Sequence, residues 1–209
     1  MFGLAAIAAV AAMAFVGASS AMAESTLLCT TDTPALAPSA AECTQPAEVH
    51  YTSVNEAGAS AKATLLNSIS NVECNVLILG TVQQGLKTNG PVPITVTKEN
   101  LQYTNCSPCT VTTEEGGTIL VLKLKSAGLE LADVTGDGFK VKVVCLGFIK
   151  CIYNAAGLSG HGLGPLATGG NGHVTYTKAK VTSESGGLCP AEAFLDALFK
   201  DLTKTYIRN

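Results

Sequence analysis

The chain has 209 residues and a formal net charge of −3, and Arg208 is its only arginine. Bidentate phosphate and guanine contacts rely on arginine, so nucleic acid is not expected as a partner. With no Trp and five Tyr, few aromatic faces are available for stacking a sugar ring, which argues against a carbohydrate module.

Residues 1–23 carry no charge, run apolar from Phe2 to Val16, and end in Ala21-Met22-Ala23. The small residues suit a signal peptidase, so a secretory signal peptide cleaved before Glu24 is expected. The apolar run is shorter than the roughly 20 residues of a spanning helix, so no stable membrane anchor is expected after cleavage. No Lys or Arg precedes the run, so a true start upstream of the recorded one is an expectation. Residues 24–48 form an N-terminal segment rich in Pro, Ala and Thr without periodicity. Residues 49–209 then read as a single β-rich domain.

Within that domain, short runs of Val, Ile, Leu, Thr and Tyr alternate with Gly, Asn and Pro. They predict strands at 49–54, 61–69, 72–83, 92–97, 99–105, 109–114, 118–125, 128–134, 138–146, 149–154 and 173–182. Leu120, Leu122 and Leu124 share one face of their run opposite Lys123 and Lys125. Phe139, Val141, Val143 and Cys145 share a face opposite Lys140 and Lys142. Such period-two alternation sets one face on a core and the other in water. The fold class expected is all-β: an antiparallel β-sandwich or flattened barrel stapled by disulfides. Pro190 opens a stretch in which Phe194, Leu195, Leu198, Phe199 and Leu202 fall at helical spacing, predicting a short C-terminal helix over 190–202. A final strand near Thr203 to Ile207 is the competing reading. Tyr-Thr recurs at Tyr51, Tyr103 and Tyr176 without a fixed period, as a dipeptide that strands favour.

Cys29, Cys43, Cys74, Cys106, Cys109, Cys145, Cys151 and Cys189 form an even set in an exported domain, which indicates structural disulfides. Short loops close most readily, which favours Cys106 with Cys109, Cys145 with Cys151, and Cys29 with Cys43. Cys74 and Cys189 are then left as a long-range tie. A redox-active reading of Cys106 and Cys109 needs a helix after the first cysteine, and the run Thr110 to Thr113 disfavours one.

Asp133-Val134-Thr135-Gly136-Asp137-Gly138 starts like a calcium loop, but Thr135 and Val144 stand where acidic ligands are needed. A polar turn is the better reading. Residues 157–172 hold seven glycines and read as a flexible surface loop. His161 lies in it and His173 just beyond, and with Asp133, Asp137 and Glu184 they are the few candidate metal donors. No HExxH, GxSxG or Ser-x-x-Lys pattern occurs, so no catalytic residue and no cofactor are assigned.

The run Tyr103-Thr104-Asn105-Cys106…Cys109-Thr110-Val111-Thr112-Thr113, followed by Gly170-Asn171-Gly172-His173 and Leu188-Cys189-Pro190, resembles a group of small secreted proteins of high-GC actinobacteria. The resemblance implies a secreted, β-rich, disulfide-containing domain without catalytic residues. The leading functional expectation is a non-catalytic extracellular or cell-envelope protein, an interaction or structural module with an envelope or extracellular partner. The alternative is a barrel binding a small apolar ligand or lipid. A hydrolase or metalloenzyme centred on His161 and His173 is third.

Overall fold

The computed structural model describes residues 25–30, 43–53, 61–65, 71–83, 88–124 and 130–208. The expected signal peptide and its cleavage point lie outside these residues. The strands are β1 (Leu27–Cys29), β2 (Glu48–Ser53), β3 (Ala61–Leu65), β4 (Val72–Val82), β5 (Val92–Val96), β6 (Leu101–Ser107), β7 (Thr110–Glu115) and β8 (Gly117–Lys123). They continue as β9 (Leu131–Asp137), β10 (Phe139–Cys145), β11 (Ile149–Ala155), β12 (Leu158–Leu163), β13 (His173–Ser183), β14 (Glu192–Asp201) and β15 (Tyr206–Arg208). One helical turn, α1 (Pro165–Thr168), precedes β13.

Pairing is antiparallel throughout, and the strands β4–β5–β8–β9–β12–β13–β14–β2 close on themselves as an eight-stranded barrel. The expected sandwich gives way to the barrel, because β2 pairs with β4 as well as with β14 and so joins the two edges. In five pairs of consecutive strands (β2/β3, β5/β6, β7/β8, β9/β10 and β11/β12) both members run in the same direction along the wall. Each pair continues one wall member from the lower end of the barrel to the upper. The long strands β4, β13 and β14 span both levels without a break. At the upper level the order is β6–β4–β3–β14–β13–β11–β10–β7. Among the described residues no ladder joins β6 to β7. The Thr113 hydroxyl instead donates across that seam to the Leu101 carbonyl.

The lower end is plugged. Leu28 of β1 and Ile207 of β15 lie opposite each other in a small separate sheet and enter the main core. The sole arginine is buried there. Arg208 Nη1 lies 2.6 Å from Glu130 Oε1, which also accepts the Ile207 N–H at 3.1 Å. Two fully buried charges are tolerable only because each meets its opposite and further hydrogen bonds.

Several sequence expectations change. Residues 192–201 form strand β14, not a helix: its backbone is laddered to β13 on one side and to β3 and β2 on the other. Tertiary pairing overrides the helical spacing of its apolar residues. The glycine-rich run becomes β12 and α1, not a surface loop. On Gly160 a Cβ would lie 2.6 Å from the Thr175 carbonyl oxygen and 2.7 Å from the Tyr176 ring, so only glycine lets the strand approach this closely. The polar turn expected over Asp133 to Gly138 shrinks to Asp137-Gly138, with Gly138 at φ +77° and the preceding residues in β9. In β8 the interior face is Ile119, Val121 and Lys123, while Leu120 and Leu122 turn outward and are half-buried. Both faces of this strand are apolar, so the register decides: Ile119 lies opposite Ile94, and Val121 opposite Val134. The inward face expected for β10 is observed, with Phe139 and Val143 buried.

Four disulfides form: Cys29–Cys43, Cys74–Cys106, Cys109–Cys145 and Cys151–Cys189. The Cys29–Cys43 expectation holds; the other three pairings do not. Cys106 is on β6 and Cys109 in the turn just before β7, and they tie away from each other, to β4 and β10 respectively. These two bridges stand beside the unladdered seam between β6 and β7.

Candidate functional site

Inward residues of the upper barrel do not fill it. They line a cavity of about 140 Å³. Val76 and Ile78 from β4, Val141 from β10, and Leu195 and Phe199 from β14 form aliphatic and aromatic walls. The floor is the packed lower barrel, where Val92, Ile94, Val121 and Val134 are buried. Eight strands give an interior that side chains either fill or leave open for one small ligand. Here the lower half follows the first course and the upper half the second.

Tyr103, Tyr153 and Tyr176 also line the cavity, and among the described residues that line it none is charged. The Tyr176 ring meets Phe199 edge-on, with centroids 6.0 Å apart. Tyr153 is only 2% exposed, and its hydroxyl is buried without a hydrogen-bond partner. Burial holds the hydroxyls of Tyr103, Tyr153 and Tyr176 above the usual tyrosine range. All three are therefore neutral donors at physiological pH. The sequence reading did not assign these tyrosines to a site. Its faint signal was the Tyr-Thr recurrence, which includes Tyr103 and Tyr176.

The upper loops expose large apolar side chains. Leu146 (65% exposed) and Phe148 (68%) lie in the β10–β11 turn, and Leu188 (71%) lies in the β13–β14 loop beside Cys189. The outer wall between these loops and the lower barrel is polar. Lys140 pairs with Glu115 at 3.1 Å and Glu184 at 3.4 Å, and Lys142 pairs with Glu114.

The candidate metal donors are mostly dispersed. His161 and Asp133 face each other across β12 and β9, with His161 Nδ1 3.2 Å from Asp133 Oδ1, on the outside of the barrel where His161 is 79% exposed. His173 pairs with Leu163, displaced along the ladder from His161. Asp137 lies four residues beyond Asp133, where it accepts the Gly138 N–H. Glu184 belongs to the upper end, with Lys140 and Asn154. Among the described residues no group of three or more His, Cys, Asp or Glu side chains is placed to hold a metal ion.

Compared with known proteins, the chain matches no family model, no curated protein and no solved structure.

Proposed function

We propose that this protein is an exported, non-catalytic barrel that binds one small apolar ligand in its upper interior. The uncharged cavity carries this reading. An empty apolar cavity of this volume destabilises a fold by on the order of 3 kcal/mol, at roughly 24 cal/mol per Å³. A barrel that packs its lower half tightly and leaves its upper half open bears that penalty where a ligand offsets it. A cavity of about this size lined by aliphatic and aromatic groups admits molecules as large as substituted benzenes. Export follows from the uncharged leader-like run at 1–23, and the four disulfides are compatible with an oxidising compartment.

Calorimetric titration with ethylbenzene tests the reading. Saturable one-to-one binding is expected, and it should be lost in Ala155→Phe, which places a ring in the cavity while the far-UV spectrum stays β-rich. Absence of binding by the wild type would remove the proposal. The exposed Leu146, Phe148 and Leu188 favour a second reading, an interaction module whose upper loops dock on an extracellular or envelope partner.

A further inference from the structure

The described turns at the upper end of the barrel carry no charge over residues 106–113, 143–149 and 185–191. Three large apolar side chains project from them, Leu146 and Phe148 between β10 and β11 and Leu188 between β13 and β14. The Cys151–Cys189 bridge gathers the three: Cys189 Sγ lies 3.2 Å from the Lys150 carbonyl oxygen, so Leu188 stands beside the strand that leaves Phe148. Leu146 is held in the left-handed region at φ +54°, and Gly147 follows at φ +78°. Such a turn favours asparagine or glycine, and here the leucine gains no burial in return. Charge indicates what covers this end. The nearby carboxylates are engaged, Glu115 and Glu184 with Lys140, Glu114 with Lys142 and Glu192 with Lys180, and Glu73 is not free either. Lys150, two residues beyond Phe148, is exposed and forms no ion pair among the described residues. Apolar tips with an unpaired cation just beneath them match the order of a bilayer interface, hydrocarbon first and phosphate next. A protein partner would need a surface shaped to three separate tips, whereas a fluid interface takes them without shape complementarity. We propose that this end docks on a phospholipid surface, with Leu146, Phe148 and Leu188 inserted below the headgroups and the Lys150 ammonium on a lipid phosphate. The net charge of −3 opposes long-range attraction to anionic lipid, so apolar insertion carries most of the binding. This assignment deepens the second reading by naming its partner and does not rest on the binding-barrel reading.

Co-flotation of protein recovered from culture medium with mixed phosphatidylcholine–phosphatidylglycerol vesicles tests it. The wild type should float. The triple variant Leu146→Asn, Phe148→Ser, Leu188→Ser should bind at least about tenfold more weakly, because each change removes apolar area from the interface. Leu146→Asn alone should weaken binding about threefold yet unfold at the wild-type temperature or above it, since asparagine suits the left-handed backbone. That variant separates docking from folding. Lys150→Gln should weaken binding about fivefold. The chain has no Trp, so Phe148→Trp supplies a sole indole. Its emission should move to shorter wavelength on vesicles and be quenched by lipids brominated on their acyl chains. A wild type that does not float, a triple variant that floats equally well, or an indole that stays in water overturns the lipid assignment. An unchanged affinity in Lys150→Gln overturns the phosphate contact. Without flotation, wild-type dimers that the triple variant cannot form give the surface to a second copy and leave the docking reading standing. A wild type that neither floats nor self-associates removes both.

Discussion

Asp201 sits at the end of β14 in the lower barrel, buried, and each of its carboxylate oxygens has a job. Oδ1 accepts the Thr203 N–H and Oδ2 the Thr205 N–H, both at 2.9 Å, which turns the chain toward β15. Burial raises its carboxyl above the usual Asp range, and the hydrogen bonds from Thr205 and Thr203, with the nearby His50, only partly oppose this. Desolvation therefore wins over the two donors. A carboxyl raised in the folded state keeps its proton to a higher pH there than in the unfolded chain. Between the ordinary value of about 3.9 and the raised one, the folded state binds more protons, so this group's contribution to stability falls as pH rises. Urea unfolding of wild type and Asp201→Asn across this interval measures the effect. The stability difference, wild type minus variant, should decline through the interval and flatten above it; a difference that rises with pH contradicts the assignment.

At the scale of elements, β12 shows how glycine can make a strand in place of breaking one. Gly160 lies between β9 and β13 in the barrel wall and faces inward. Its missing Cβ is what allows the Tyr176 ring to lie against the strand and still reach the cavity and Phe199. Gly170, just after α1, has open space where its Cβ would stand. Gly160→Ala should therefore lose about 1–3 kcal/mol through overpacking. Gly170→Ala should stay within about 0.5 kcal/mol of wild type. Paired denaturation curves decide it, and equal effects at the two sites would show that the contact of β12 with Tyr176 is not limiting. The same strand explains why the glycine-rich run misleads. Composition registers conformational freedom, whereas the close approach of a neighbouring ring leaves no mark in the local sequence.

At the scale of the whole molecule, two disulfides stand beside the β6–β7 seam, which no strand ladder closes among the described residues. Cys74–Cys106 fastens β6 to β4, and Cys109–Cys145 fastens the turn that leads into β7 to β10. Cys151–Cys189 ties the β13–β14 loop to β11 at the same end. Replacing Cys109 and Cys145 together by serine should lower stability by about 2–5 kcal/mol. Amide exchange should accelerate in β6 and β7 while β9 and β12, paired on both sides, keep their protection. Uniform acceleration across the barrel would mean that the seam is no weaker than the rest. The seam also borders the cavity through Leu101, Tyr103 and Val111.

Alternation and composition by themselves determined that this chain is all-β, and they placed β2, β4 to β8, β10, β11 and β13 within two residues of their observed limits, because period-two burial is written locally. Strand β9 lies three residues further along than expected, and residues 66–69 of the expected strand 61–69 lie outside the described residues. They also determined that the cysteines pair, since an even set in a chain with a leader-like start has few other uses. Which cysteines pair was decided only in three dimensions. Cys106 and Cys109 are near in sequence, yet barrel closure sets each beside a different strand. The strand identity of residues 192–201 was likewise decided by ladders to β13, β3 and β2, partners far away along the chain. The inward face of β8 depended on register, because both of its faces are apolar. The cavity was the least legible feature: a void is a difference between the volume a closed wall encloses and the volume its side chains fill. Neither quantity exists until the eight wall members have met, and only then do Tyr103, Tyr153 and Tyr176 share one surface.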